Sequence, residues 1–245
     1  MKHKAFNPAV EVVSSTSEAG EFVANLITQA AIKAVTERGR FTLAIPGGGS
    51  PRAVFEVLNK PANLQIFPWS MTQLLWVDER AVPPEHPDSN AGVFIREVFT
   101  DLPLIPANIH RMLGELGPEH GAAAYRETLQ TVLNPDGGHE NTIDFALLGI
   151  GEDGHIASLF PGDAALDSTD TVIPIFNSPK PPPERITMTM PVIKSAKEIV
   201  VLVLGQGKAD AVARSLAGED LPAQVVTAGT NTTWVIDQAA ASELK

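Results

Sequence analysis

Three stretches of this sequence hold residues whose types and spacing can do chemistry. The first is Gly149-Ile-Gly-Glu-Asp-Gly-His155. An imidazole takes up a proton near neutral pH, and a carboxylate beside it can fix its tautomer and stabilise its charged form. His155 is thus the candidate base, and Asp153, in the same turn, the group that would orient or tune it. A lone histidine in a glycine turn is more often structural, so this reading needs a substrate site around it. The second stretch, Gly47-Gly48-Gly49-Ser50, can supply one, because glycines let the backbone approach an anion closely and a following helix presents unpaired N–H groups. The third set is dispersed. Arg80, Arg185 and Lys208 each fall at the edge of an expected element, and Asp78 shares the polar segment of Arg80. Singly, each cation reads as a solvated surface charge. Together they point to an anion pocket, in which Arg offers paired N–H donors and Lys a compact charge.

Other chemistries fit less well. Residues 149–154 spell Gly-x-Gly-x-x-Gly, but Pro161 follows within two turns where a dinucleotide site needs a long helix, and Glu152 and Asp153 would face a pyrophosphate unfavourably. The glycine loop lacks the Gly-Lys-Ser/Thr ending of a nucleotide-binding P-loop. Ser50 is not in a Gly-x-Ser-x-Gly setting, so it is a poor nucleophile candidate. His3, His86, His110, His120 and His139 show no His-Glu-x-x-His spacing, and no catalytic metal or other cofactor is expected. The absence of cysteine excludes disulfides and thiolate chemistry.

The chain has 245 residues with 44% apolar and 19% charged side chains, which is enough to bury a sizeable core. A net charge of -11 argues against a nucleic-acid partner, since such surfaces rely on basic residues to release phosphate counterions. An anionic small molecule must then meet a local positive site within an acidic protein. Met1-Lys-His-Lys-Ala-Phe6 lacks the apolar stretch of a secretory signal, and no segment reaches membrane-span length, so a cytoplasmic protein with no membrane partner is expected. Nothing in the sequence prescribes an oligomer, and a monomer is compatible with it.

The elements that would position these residues follow from hydrophobic period and punctuation. Apolar pairs Phe22-Val23, Leu26-Ile27, Ala30-Ala31 and Ala34-Val35 predict an amphipathic helix from Ser17, as its cap, to about Arg38, with Gly39 as the stop. Phe41 to Ile45 reads as a strand, followed by the glycine loop and a helix over Arg52 to Leu58. A second strand, Gln73 to Val77, runs into Asp78-Glu-Arg80 and a Pro-rich loop to Asn90, then a helix over Gly92 to Phe99. A helix from Pro118 to Leu133 is stopped by Asn134-Pro-Asp-Gly-Gly138. Ile143 to Leu148 forms the strand before His155, and further strands fall at Thr171 to Phe176 and Glu198 to Leu204. Gly205-Gln-Gly-Lys208 then opens a helix to about Leu216.

Continuous apolar strands alternating with helices predict a three-layer α/β/α, Rossmann-like fold with a mainly parallel sheet and helices on both faces. Ligands of such sheets bind beyond the carboxyl ends of the strands, so the candidate segments should converge on one cleft. Pro179 to Pro183 reads as a surface loop, leaving a single domain over 1–245.

From Phe41 to Ala211 the chain resembles the 6-phosphogluconolactonase family. The resemblance rests on Ile45-Pro-Gly-Gly-Gly-Ser-Pro51, Trp76-Val-Asp-Glu-Arg80 with Pro87-Asp-Ser-Asn90, Leu148 to Gly162, Arg185-Ile-Thr-Met-Thr189 and Gly205-Gln-Gly-Lys-Ala209, in that order. Pro46 and Ile156 depart from the family's usual Ser and Thr without removing a candidate side chain. Glucosamine-6-phosphate deaminases share the Asp-Gly-His type of loop, but they carry Asn-Glu-Pro after the histidine where this chain has Ser158-Leu-Phe-Pro161. The resemblance implies hydrolysis of 6-phospho-D-glucono-1,5-lactone to 6-phosphogluconate in the oxidative pentose phosphate pathway. It also implies His155 as general base on water, Asp153 behind it, and Gly47, Gly48, Gly49, Ser50, Asp78, Arg80, Arg185 and Lys208 around the substrate. The alternatives are a deaminase-like isomerase and a non-catalytic sugar-phosphate-binding protein on the same fold.

Overall fold

The computed structural model of the chain describes residues 8–134, 142–228 and 231–244. In chain order these form β1 (Ala9–Val13), α1 (Thr16–Arg38), β2 (Phe41–Ile45), α2 (Ser50–Leu58), α3 (Pro61–Ile66), β3 (Thr72–Trp76), β4 (Asp78–Arg80), α4 (Asn90–Glu97), β5 (Ile109–His110), α5 (Gly117–Leu133) and β6 (Phe145–Leu148). They continue with β7 (Val172–Ile175), β8 (Arg185–Met188), α6 (Met190–Lys194), β9 (Glu198–Val203), α7 (Ala209–Leu216), α8 (Pro222–Thr227) and β10 (Thr232–Asp237). The segments Met1 to Phe6 and Pro135 to Gly138, with His3 and His139, lie outside the described residues.

Seven strands of the described residues make a parallel sheet in the order β1-β10-β9-β6-β2-β3-β5. Because side chains alternate across a strand, neighbours in sequence go to opposite cores. Leu43, Ile45, Leu74, Trp76, Phe145 and Leu147 pack with α1, α2 and α4 on one face. Ala44, Leu75, Ala146, Leu148 and Val201 pack on the other, against α5 to α8. The expected three layers are therefore present, and the strands read as continuous apolar runs because both faces are covered.

The small second sheet, β4-β8-β7, is antiparallel and was not expected. Asp78–Arg80 reads as a polar loop by composition but pairs with β8, Arg80 opposite Arg185 and Asp78 opposite Thr187. The strand expected around Thr171 to Phe176 exists as β7, though it belongs to this sheet. Ile186, Met188 and Val172 bring the sheet onto the α5 side of the core, so that face is covered by strands as well as helices.

The first helix also corrects the sequence reading. Its cap is Ser15, not Ser17: the Ser15 hydroxyl accepts the Glu18 N–H at 3.2 Å, and the Glu18 carboxylate accepts the Ser14 N–H at 2.7 Å. A cap side chain serves a donor two or three residues ahead, and Ser17 already lies inside the first turn. At the other end Gly39, at φ 72, donates its N–H to Val35 C=O as the left-handed stop.

Strands β2 and β6 lie side by side, with Leu43 opposite Phe145. From β2 the chain proceeds to β3 on one side, whereas from β6 it reaches β9 on the other. Connections that diverge from adjacent parallel strands leave a crevice beyond their carboxyl ends. The glycine loop follows β2 and the His155 loop follows β6, so both rim that crevice.

Candidate active site

The turn after β6 is closed by Gly154 N–H donating to Gly151 C=O at 3.0 Å and by Gly151 N–H donating to His155 C=O at 2.9 Å. Gly154 stands at φ 87, where a side chain would be strained. Inside the turn, Asp153 Oδ1 accepts the His155 backbone N–H at 3.3 Å and meets Nδ1 of the ring at 2.6 Å. A Cβ on Gly151 would stand 2.0 Å from that Nδ1 and 2.5 Å from Asp153 Oδ1, so glycine is what lets the pair close here. The imidazole rests on Phe160, with ring centroids 4.4 Å apart.

The electrostatics assign the tautomer. Burial pushes the His155 imidazolium below its ordinary pKa, against the opposing pull of the Asp153 and Asp78 carboxylates. Burial would raise Asp153, but the charge of protonated His155 and its hydrogen bonds hold that carboxyl below its ordinary range. At neutral pH the pair is therefore a carboxylate beside a neutral imidazole. A carboxylate only accepts, so Nδ1 carries the proton and Nε2 carries the lone pair.

Across the crevice, α2 starts at Gly49 without a side-chain cap and with Pro51 in its first turn. Pro51 has no N–H and Arg52 donates its own to Gly49 C=O at 3.1 Å, so the donors this start can offer a ligand are the backbone N–H groups of the glycine loop and Ser50. Gly48 takes φ 86, and a Cβ on Gly47 would coincide with the Asn90 amide, 1.8 Å from Oδ1. Asn90 Nδ2 in turn donates to Asp78 C=O at 2.9 Å and to Asp78 Oδ1 at 3.2 Å. The other Asp78 oxygen accepts the Ser158 hydroxyl at 2.7 Å, tying β4 to the His155 loop beneath the cleft.

Glu79 holds this corner from behind. It is 1% exposed, yet its carboxylate accepts the N–H groups of Asn90 (2.6 Å), Ala91 (2.8 Å) and Arg80 (2.8 Å) and the Ser89 hydroxyl (3.0 Å). Burial still leaves its pKa raised, because the four donors offset the lost hydration only in part.

The cleft enclosed by these elements has a volume of about 360 Å³. Of the residues expected from sequence, Gly47, Gly48, Gly49 and Ser50 line one side of it, His155 another, and Asp78, Arg80, Arg185 and Lys208 the remainder. Asp153 stands behind His155. Arg80 Nη1 donates to Asp88 C=O at 2.5 Å, while its buried Nε has no partner among the described residues. Lys208 lies 3.9 Å from Glu152 at the rim. Arg185 is only 4% exposed, and its Nε and Nη2 are spent on the carbonyls of Pro182, Lys180 and Pro181.

Two polar lining residues escaped the sequence reading. Asn90 was visible in the Pro87-Asp-Ser-Asn90 motif, but nothing local says that its amide would turn back under Gly47. Lys180 lies between Pro179 and Pro181, where composition says only loop. Ala157, at φ 52, also lines the cleft, and a left-handed alanine beside a candidate base is the kind of backbone strain found at functional sites.

Comparison with known proteins gives concordant matches. The family described as glucosamine-6-phosphate isomerases/6-phosphogluconolactonase matches residues 14–235. A 6-phosphogluconolactonase of Synechocystis sp. is 36% identical over 244 residues, covering 97% of this chain and 99% of the relative. Among solved structures, a 6-phosphogluconolactonase from Trypanosoma cruzi superposes with a TM-score of 0.86 over 100% of both chains at 22% identity. A monomeric glucosamine-6-phosphate deaminase superposes with a TM-score of 0.78 over 96% of this chain and 99% of its own, at 23% identity. At such identities the two structures speak for the fold alone, which both activities share.

Proposed function

This chain belongs to the family of glucosamine-6-phosphate isomerases and 6-phosphogluconolactonases, and from that premise we propose that it is a 6-phosphogluconolactonase with His155 as its general base. The observation that carries the reading is the 2.6 Å contact of Asp153 with Nδ1, which leaves Nε2 of a neutral, cleft-lining imidazole to act on water. Nε2 takes a proton as the water oxygen bonds to the lactone carbonyl carbon, and negative charge gathers on the carbonyl oxygen. When the tetrahedral intermediate collapses, the bond to the ring oxygen breaks and the imidazolium returns the proton to that oxygen. The products are the C5 hydroxyl and a carboxylic acid that ionises in water. Asp153 is not consumed; it fixes the ring and stabilises the imidazolium between the two transfers.

The phosphate is assigned to the glycine loop, where Gly47, Gly48, Gly49 and Ser50 open α2, with Arg80 and Lys208 as its cations. Binding energy from that remote group aligns the lactone with Nε2. Asp78, held by Asn90 and Ser158, is placed to order the sugar hydroxyls. Against a deaminase, the residues after His155 are Ile156, Ala157, Ser158, Leu159, Phe160 and Pro161, none of which supplies a carboxylate. Of the residues that line the cleft, Asp78 alone has a carboxylate, and it comes from β4, not from the loop after His155.

The discriminating experiment offers the protein freshly generated 6-phosphogluconolactone, against the spontaneous background, and in parallel glucosamine 6-phosphate. Accelerated lactone opening without ammonia release is expected. Ammonia release without lactone acceleration would assign the chain to the deaminases. Ligand binding with neither reaction would make it a sugar-phosphate-binding protein. Among the described residues, no helix is long and apolar enough to cross a membrane.

A further inference from the structure

Four cations line the cleft, yet they are not equivalent. Arg185 is the most committed of them. Its Nε donates to Pro182 C=O at 3.0 Å, its Nη2 to Lys180 C=O at 2.9 Å and Pro181 C=O at 3.2 Å, and its Nη1 reaches the Ser158 hydroxyl at 3.4 Å. Its guanidinium also lies over the Phe160 ring at 5.7 Å, and His155 rests on the same ring. Arginine held by several carbonyls of one loop works as a clamp on that loop, and few of its five donors remain for a substrate.

What the clamp holds is Lys180. The backbone of that residue is fastened a second time by Ser178, whose hydroxyl donates to Lys180 C=O at 2.9 Å and accepts its N–H at 3.3 Å, while Ser178 N–H donates to Pro183 C=O at 3.0 Å. Prolines at 179, 181, 182 and 183 stiffen the same segment. A loop so constrained is costly to keep for a solvated lysine, and this lysine lines the cleft with His155.

We propose that Lys180 supplies the positive charge at the reacting carbonyl, stabilising the oxyanion formed when water adds and the carboxylate of the product, and that Arg185 and Ser178 are positioning residues which act through it. This refines the lactonase reading and rests on it. The phosphate remains with the glycine loop, Arg80 and Lys208. The charges acting on His155 agree with this placement: Asp153 from its own turn and Asp78 from β4 favour the imidazolium, and Lys180 from the proline loop opposes it. Lys180 likewise favours the ionised form of Asp153. Burial keeps the imidazole neutral in the resting enzyme and the Lys180 charge acts in the same direction; that charge then meets negative charge that appears only as the reaction proceeds, which is the arrangement that accelerates a step.

The test uses the full-length protein with Lys180→Gln, Lys180→Arg and Ser178→Ala, and three readouts. The first is kcat on the phosphorylated lactone. The second is competitive inhibition by inorganic phosphate, which probes the phosphate end alone. The third is direct NMR titration of the His155 ring, which needs no turnover. For Lys180→Gln we expect kcat to fall about 100-fold or more, on the scale of losing one oxyanion contact. The phosphate inhibition constant should stay within about two-fold, since the charge that holds phosphate sits elsewhere. The His155 titration should move to higher pH. Lys180→Arg should recover part of kcat, and Ser178→Ala should show a weaker form of the Lys180→Gln pattern. Weakened phosphate inhibition with kcat preserved would make Lys180 a phosphate ligand and overturn the proposal, as would an unmoved kcat. A wild type that does not open the lactone would refute the lactonase reading, while a shifted His155 titration in Lys180→Gln would still place the charge beside the base.

Discussion

Replacing Gly151 by alanine disturbs the catalytic pair without deleting either member. Gly151 is not in the left-handed region, so its backbone can carry an alanine without conformational strain. The added methyl would meet the pair first: it would stand 2.0 Å from His155 Nδ1, 2.2 Å from Cε1 and 2.5 Å from Asp153 Oδ1. These are side-chain atoms, so they can swing away, and the 2.6 Å contact is what gives. A hydrogen bond to a charged group contributes about 1.5–3 kcal/mol, and if all of it is lost from the transition state the rate falls about 10- to 150-fold. A ring misplaced by about 1 Å predicts a similar loss, about 100-fold. Stability should suffer less, because Asp153 is 36% exposed and can relax into solvent. The assay is kcat on fresh lactone together with thermal denaturation of both proteins. A Gly151→Ala enzyme with wild-type kcat would refute the claim that this pair, in this geometry, carries the reaction.

Three further outcomes follow from the same structure. Asp153→Asn replaces an acceptor-only carboxylate by an uncharged amide whose NH2 can face Nδ1 and reverse the tautomer, so kcat should fall about 100-fold or more while inorganic phosphate binds within about two-fold, a fall on the scale of losing general-base catalysis; equal kcat values would remove Asp153 from the mechanism. The base must be unprotonated, and His155 has its pKa below the ordinary 6.5 because of burial, so kcat/KM should be level at pH 7 and decline only as the pH falls below 6.5; a limb centred above 6.5 in the pH–rate profile would contradict this. Glu79→Gln exchanges an acceptor-only group for one that turns an NH2 toward the Ala91 N–H and Ser89 hydroxyl or their counterparts, which should cost about 2–4 kcal/mol and lower the melting temperature by about 4–16 °C. An unchanged melting temperature would show that the buried carboxylate is not what holds β4 to α4.

The parallel sheet was legible because its inner strands are buried on both faces and so read as unbroken apolar runs, as in Phe41–Ile45 and Phe145–Leu148. Gly39 punctuated the first helix for the reason that any glycine stop does. The outer strands were not legible, and β10 (Thr232–Asp237), which lies between β1 and β9, was not read as a strand either. Four of the five residues of β1 are exposed, and β5 has only two residues, so neither carries an apolar run to read. The second sheet was hidden for another reason: Asp78, Glu79 and Arg80 are charged, and their strand character comes from pairing with β8, a partner more than a hundred residues away.

The site divides along the same line. His155, Asp153 and the glycine loop could be found because their chemistry lies within one turn or one strand-to-helix connection. Asn90, Ser158 and Lys180 act across the fold, through Asp78, Arg185 and the proline loop, and no local spacing records those contacts. Arg185 shows the converse. Its type and place suggested a substrate ligand, whereas its hydrogen bonds run mostly to its own loop.

The measurement that bears most directly on the account is the opening of fresh 6-phosphogluconolactone by the wild type and by His155→Ala, corrected for spontaneous hydrolysis, with 6-phosphogluconate affinity measured on both. The account predicts that His155→Ala loses about 100-fold or more in kcat, the scale of general-base catalysis by a positioned side chain, and binds product within a few-fold of wild type. Equal turnover by the two proteins would contradict it.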